Sequence, residues 1–426
     1  MAHAATSSLP TPTPAAHIRA FERLGFGMFV HWGLYSQIGQ GEWVWTYHEQ
    51  VRKGYGKLQQ SFTAADFDAT ALVRTAKAAG MRYVCLTTRH HEGFSLYDTR
   101  GLNTFDAPHS PAKRDLVAEF SAACEAEGMG KFFYHTTLDW WHPDFDGEGR
   151  WDAYLDYLNR SVEILCTKYG KVAGLWFDGN WARKDRDWKE DALYAVIRRH
   201  QPDAIIVNNS STQNLGADGH PEVDIRTFEQ GRPKAFDHRG KAKYKAAEMC
   251  DTVNSHWGIG ANDLSHKSPA QVIDRLVASR KVGANYLLNV GPTAQGGIPG
   301  YERELLALVG RWAALCPAAV YDAVPTDLVC RGADFVLRDG TTLYYFCSNL
   351  QIHGNAHLHE GDGGSGLRTV AGALPAVRRI AWADQPATDL RFSQDRAKDW
   401  LTFDATPYPY GTHLAGWRIA RIETAG

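Results

Sequence analysis

Eight short runs of apolar, β-branched and aromatic residues are spaced along the first three quarters of the chain, and helical patterns separate most of them. They cover residues 26–31, 83–88, 131–135, 174–178, 204–209, 224–228, 249–254 and 284–290. The intervening periodicity predicts helices over 66–79, 116–127, 152–168, 191–200 and 269–281. Gly80, Gly128, Gly170 and Gly283 stand where four of these helices need a left-handed closing residue. Alternation at this count implies an α/β chain, either a (β/α)8 TIM barrel or an open doubly wound sheet, and the strand number favours the barrel. Gly25, Gly27 and Gly33 do not give the G-x-G-x-x-G turn of a dinucleotide fold, and no P-loop occurs. From about Tyr321 the texture changes to strand patterns at 334–337, 342–348, 376–381 and 415–423, with a glycine-rich turn at 360–366. The expected organisation is therefore a flexible N-terminal segment (1–20), a (β/α)8-like barrel (21–322) and a small C-terminal antiparallel β-sandwich (323–426).

Charge narrows the possible partners. Lysine plus arginine number 46 and aspartate plus glutamate 48, so the net charge is −2, and no run of like charge favours nucleic acid or a membrane surface. No apolar stretch approaches the roughly 20 residues of a membrane span, and the first residues lack the apolar core of a signal peptide. The expected location is cytoplasmic as the chain stands, or secreted or periplasmic if a leader has been removed. Seven scattered cysteines without a C-x-x-C point to reduced, mostly buried thiols. The sequons at Asn159, Asn208 and Asn209 carry meaning only for a secreted chain.

In a barrel, chemistry sits at the C-terminal ends of the strands. The predicted strands end in His31, in Thr88-Arg89-His90-His91-Glu92, in Tyr134-His135, in Trp176-Phe177-Asp178, in Asn208-Asn209, in Thr227-Phe228-Glu229 and in His256-Trp257. One polar residue past a strand is ordinarily a turn or helix cap, but six or more ends converging on one rim form a site. Its aromatic character follows from 14 Trp, 18 Tyr and 18 Phe, several beside histidine or acid in FVHWGLY, GEWVWTYHE, TLDWWHPDF and LWFDGNW. Asp178 and Glu229 supply carboxylates from two strands, the pair that glycosidic bond cleavage requires. A metal centre of His31, His90, His91, His135 and His142 is the lesser reading, because their spacing is irregular and adjacent His90 and His91 would point apart in an extended segment. His357-Leu-His359 reads as a strand edge, no G-x-S-x-G elbow occurs, and Cys85 lies mid-strand. No cofactor and no metal are expected.

Seven segments in series resemble the α-L-fucosidases of glycoside hydrolase family twenty-nine: FGMFVHWGLYS (26–36), GEWVW (41–45), RHHEGFSLYDT (89–99), FYHTTLDWWHP (133–143), LWFDGNW (175–181), EMCDTVNSHWG (248–258) and NYLLNVGPTAQGGIP (285–299). The resemblance implies a barrel followed by a β-sandwich and retaining hydrolysis through a covalent glycosyl-enzyme, with Asp178 as nucleophile. It implies Glu229 as acid/base, Glu248 being the competitor with an expected structural role. The fucose-binding residues it implies are His31, Glu42, Trp43, His90, His91, Tyr134 and Trp176. Many members carry N-D-R after the fifth strand where this chain has Asn208-Asn209-Ser210, so the arginine's contribution is absent or comes from elsewhere. The implied partner is a fucosylated oligosaccharide or glycoside. The rival readings are a carbohydrate-binding protein with the same pocket and little turnover, a metal-dependent hydrolase on the same barrel, and a hydrolase of α-L-galactosides.

Overall fold

The structure, a computed structural model, describes residues 9–147, 150–209, 214–348, 366–405 and 416–425. Eight parallel strands form one sheet: β1 (Phe26–Val30), β2 (Tyr83–Arg89), β3 (Gly130–Thr136), β4 (Gly174–Asp178), β5 (Ile205–Asn208), β6 (Ile225–Glu229), β7 (Ala246–Thr252) and β8 (Asn285–Val290). Their order, β5-β4-β3-β2-β1-β8-β7-β6, wraps the sheet into a nearly closed barrel, as the strand count predicts. Burial on both faces explains the unbroken apolar runs: every residue of β1, β2 and β8 is buried. Gly80, Gly128, Gly170 and Gly283 have φ of 82°, 67°, 69° and 77°, so the four expected helix ends use backbone that only glycine enters cheaply.

The sheet has one seam, between β5 and β6, which share no ladder. Asp224 bridges it, donating its N–H to the Ile206 carbonyl at 2.8 Å and accepting the Ile206 N–H on Oδ2 at 2.9 Å. Arg198 and Lys243 hold that buried carboxylate from two sides, at 2.9 and 2.8 Å. Further up the seam, Thr227 donates to the Asn209 side-chain oxygen at 3.1 Å.

At the N-terminal end of the strands, helix Ala16–Glu22 places Ile18 and Phe21 in the barrel core, where Phe21 meets the rings of Tyr83 and Phe132 at 5.8 and 5.9 Å. Residues 16–20, expected in a flexible segment, are thus the start of an ordered plug, because two buried apolar side chains at i and i+3 anchor it.

Compact packing divides the chain differently from a boundary at 322/323. The first unit holds the eight strands, and the second takes Ala78–Gly80, Lys267–Ala284 and Glu304–Gly426. Helix Pro269–Lys281 joins the second unit through Arg280 on the Val320 carbonyl and Lys281 on the Ala333 carbonyl. That unit carries a four-stranded and a six-stranded antiparallel sheet around Val336, Tyr345, Val370, Ile380, Leu401, Phe403 and Ile422. The sequence patterns find Phe335–Asp339, Thr342–Cys347, Val377–Trp382 and Arg418–Thr424, but not Leu367–Ala371, Gln385–Asp389, Phe392–Asp395 or Trp400–Asp404. Leu367–Ala371, Gln385–Asp389 and Phe392–Asp395 are mostly exposed or half-buried, so their alternation is weak, while Trp400–Asp404 alternates through buried Leu401 and Phe403 over only five residues. His357 and His359 lie outside the described residues. All seven cysteines are free and five are buried. No helix among the described residues is long and apolar enough to cross a membrane.

Candidate active site

A cavity of about 330 Å³ opens at the C-terminal ends of the strands, within the range of about 300–1,000 Å³ usual for ligand pockets. Strand periodicity builds it. On β4 alternate residues face the same way, so Trp176 joins the barrel core and Asp178, two residues on, reaches the cavity. Tyr134 on β3 pairs in register with Trp176, and Thr136 with Asp178. The rings of Tyr134 and Trp176 stack at 5.6 Å.

Asp178 is held as an anion by donors from several elements. Its Oδ1 accepts the Trp181 indole N–H at 2.9 Å, and its Oδ2 accepts the Tyr134 hydroxyl at 3.3 Å, with His91 Nε2 at 3.4 Å. Burial works to raise this carboxyl, and the bonds from His91, Trp181 and Tyr134 outweigh it, leaving it below the usual carboxylate range. Gly179 makes the Trp181 contact possible. Its φ of 119° turns the chain back, and a Cβ there would lie 2.8 Å from the Leu138 backbone nitrogen.

Glu229 ends β6 and also lines the cavity. Burial, with Asp178 nearby, pushes its carboxyl up to about 7, although Asn209 donates to Oε2 at 2.7 Å. The two acids are therefore tuned in opposite directions.

Three histidines form one wall. His31 approaches His90 at 5.5 Å between ring centroids, and His90 approaches His91 at 4.2 Å. The adjacent pair does not point apart as an extended segment would require, because the strand ends at Arg89 and the chain turns. His31 Nδ1 meets Asn289 Oδ1 at 2.6 Å. Asn289 spends its amide hydrogens on the Trp257 carbonyl at 2.6 Å, so its oxygen faces His31 and Nδ1 carries the imidazole proton. Burial holds His31 down to about 3, so the ring is neutral and Nε2 is a hydrogen-bond acceptor. His91 Nδ1 lies 2.7 Å from Thr136 Oγ1, whose own proton goes to the Leu138 carbonyl. His135 bonds Tyr97 and the Thr136 carbonyl, and His142 packs on Tyr157, so neither joins the wall. Among the described residues no group of three or more His, Cys, Asp or Glu is placed to hold a metal ion.

Trp43 forms the outer aromatic edge, with Trp181 stacked at 5.6 Å and Trp140 at 5.2 Å. Of the nine expected residues, eight line the cavity: His31, Trp43, His90, His91, Tyr134, Trp176, Asp178 and Glu229. Glu42 stands outside that lining, where its buried carboxylate accepts the backbone N–H groups of Trp257 and Gly258 at 3.0 and 2.8 Å. It fixes the loop that carries Trp257, itself a lining residue. Glu248 lies deeper, accepting from Tyr83 at 2.6 Å and from the Trp176 indole at 2.9 Å. Both of its oxygens are occupied, in keeping with the structural role expected of it. Replacing Glu248 with alanine strands two buried donors, and urea denaturation should show a loss of roughly 2–5 kcal/mol. A variant within about 0.5 kcal/mol of wild type would remove it from the framework.

Trp181 and Lys184 also line the cavity beyond the residues that the sequence points to, as do Trp257 and Asn209, which the sequence places only among the strand ends at the rim. Trp181 had a local signal, an indole three residues past an Asp-Gly turn. Asn209 had none beyond its strand-end position. Ser210 lies outside the described residues.

Two carboxyl groups with pKa values pushed apart, across a hollow of sugar size walled by indole and imidazole, are the equipment of glycosidases, and that is the class this fold and site define. Residues 7–316 match the family described as alpha-L-fucosidase, and the chain belongs to that family. A tissue alpha-L-fucosidase of Mus musculus is 29% identical over 361 residues, covering 78% of this chain and 76% of that protein. Alpha-L-fucosidase isoenzyme 1 from Paenibacillus thiaminolyticus superposes with a TM-score of 0.82 at 28% identity, over 96% of this chain and 99% of that one. An alpha-L-fucosidase from Bacteroides thetaiotaomicron, solved as a trapped covalent intermediate with 2-fluoro-fucosyl fluoride, shares the fold with a TM-score of 0.80 at 21% identity, over 97% of each chain.

Proposed function

We propose that the protein is a retaining, exo-acting hydrolase that releases α-L-fucose from fucosylated glycans or glycosides by double displacement. Asp178 attacks the anomeric carbon while Glu229 protonates the departing oxygen. Water then enters with Glu229 as base, and the glycosyl-enzyme bond breaks with release of fucose. The observation that carries this reading is one shared donor: Asn209 Nδ2 lies 3.5 Å from Asp178 Oδ1 and 2.7 Å from Glu229 Oε2. Those distances bring one oxygen of each acid within about 6 Å of the other, which fits the roughly 5–5.5 Å between the carboxyl groups of a retaining pair better than the roughly 6.5–9.5 Å of an inverting pair. The Bacteroides thetaiotaomicron relative was trapped as the kind of species that double displacement passes through.

The neutral His31 offers Nε2 to a sugar hydroxyl, His90 and His91 flank it, and Trp43 and Trp176 present ring surface. The Trp176 N–H is spent on Glu248, so this residue contributes its π surface rather than a donor. The test is hydrolysis of 4-nitrophenyl α-L-fucoside followed by proton NMR at early times. The α anomer of fucose should form first, in EDTA as in buffer. Initial β anomer would overturn the retaining assignment, faster cleavage of the α-L-galactoside would move the substrate, and binding of fucose without turnover of natural oligosaccharides would leave a carbohydrate-binding protein.

A further inference from the structure

We propose that Asn209 is a positioning residue of the reaction: its side-chain amide bridges Asp178 and Glu229 and sets where, and in which protonation state, the second carboxyl meets the glycosidic oxygen. The inference rests on the roles assigned above to those two acids.

Asn209 sits at the seam, where β5 and β6 lack ladder hydrogen bonds to fix their relative position. The residue is anchored on three sides. Its backbone N–H donates to the Phe177 carbonyl of β4 at 2.9 Å, its Oδ1 accepts from Thr227 of β6 at 3.1 Å, and its Nδ2 faces both acids. An ionised Asp178 can only accept, so the NH2 end of the amide must face it. The residue is 9% exposed, which leaves its side chain little freedom to turn away. Its neighbour Asn208 points to the other face, donating to Glu190 and Tyr194 at 2.9 Å each, so strand alternation commits Asn209 to the cavity. One neutral donor thus spans the seam between nucleophile and acid/base, where a third carboxylate would add repulsion and an aliphatic side chain would remove the donor that Glu229 has among the described residues.

The electrostatic consequence has a definite sign. A donor to a carboxylate favours its ionised form, so Asn209 opposes the upward push of burial and Asp178 on Glu229. Glu229 is also faced by Glu42 and by Tyr134 of β3, it lies near Cys250 of β7, and it shares the cavity with His91 and Lys184. Removing the Asn209 donor moves the Glu229 carboxyl upward and loosens its aim.

The test is the pH dependence of kcat/KM for wild type, Asn209→Leu and Asn209→Asp, each with 2,4-dinitrophenyl α-L-fucoside and with methyl α-L-fucoside. Asn209→Leu should shift the alkaline limb upward by roughly 0.5–1 pH unit. It should lose about 10²-fold on the methyl glycoside, which needs the proton, and far less on the dinitrophenyl one, which does not. Asn209→Asp keeps the size of the side chain and decides the matter if the leucine variant fails to fold; its added charge should move the limb at least as far. Glu229→Gln is the control. If it retains the wild-type alkaline limb, the acid/base reading has failed and this proposal with it. If it abolishes that limb while the Asn209 variants keep the wild-type limb and the same loss on both substrates, Asn209 is structural only and this proposal alone is overturned.

Discussion

Asp178→Ala is expected to lower kcat/KM for 4-nitrophenyl α-L-fucoside by roughly 10⁴-fold, about 5.5 kcal/mol of transition-state stabilisation, while the cooperative unfolding transition persists. The size of the effect follows from what the carboxylate does and what surrounds it. Its oxygens take bonds from Trp181 and Tyr134, with His91 and Asn209 at 3.4 and 3.5 Å, so the anion is oriented before any substrate arrives. Alanine leaves those donors around an empty position with no atom to form the glycosyl-enzyme bond. The fold is expected to survive, because the indole and hydroxyl donors face the open cavity, where water can reach them. Near-normal turnover in this variant would sink the assignment of Asp178.

Glu229→Ala is expected to lose roughly 10²–10⁴-fold on substrates with poor leaving groups and much less on an activated aryl fucoside. Azide should restore turnover of the activated substrate and yield fucosyl azide, because the space left by the side chain admits a small nucleophile to the glycosyl-enzyme. The pH profile gives a second reading. Glu229 must be protonated to act as acid, and burial with Asp178 nearby places its carboxyl at about 7. Its protonated fraction falls as pH rises through that value, so wild-type kcat/KM is expected to decline above about pH 7. Asp178 is held below the usual carboxylate range by its bonds from His91, Trp181 and Tyr134, so the proposed nucleophile is ionised where Glu229 titrates. The alkaline limb should vanish in Glu229→Ala. If it stays at the wild-type position, another group donates the proton.

Much of this architecture is local and was therefore legible. Apolar runs buried on both faces mark β1–β5 and β8, whereas β7 begins at Ala246, ahead of the run at 249–254, because buried Glu248 interrupts its apolar pattern; the 3.6-residue period marks the helices Leu116–Glu127 and Pro269–Lys281 at the residues expected. Glycines close helices where the backbone turns left-handed, because the steric cost of φ > 0 is a property of one residue. The alternation that sends Trp176 and Asp178 the same way also needs only their own strand.

Tertiary structure decided what no local pattern carries. Trp140, Trp43 and Trp181 meet at one rim although they lie far apart in the chain, and Glu42 is tied through Oε2 to the backbone of Trp257 and Gly258, more than 200 residues away. His90 and His91 share a wall because the chain turns after β2. The missing ladder between β5 and β6 brings Asn209 within reach of two acids that the chain separates by 51 residues. Periodicity is set by each residue and its near neighbours, so the sequence by itself determined the strands, the helix ends and the outward or inward sense of each side chain. Which inward side chains touch depends on how eight tilted strands close on one another, a long-range condition that only the folded barrel satisfies.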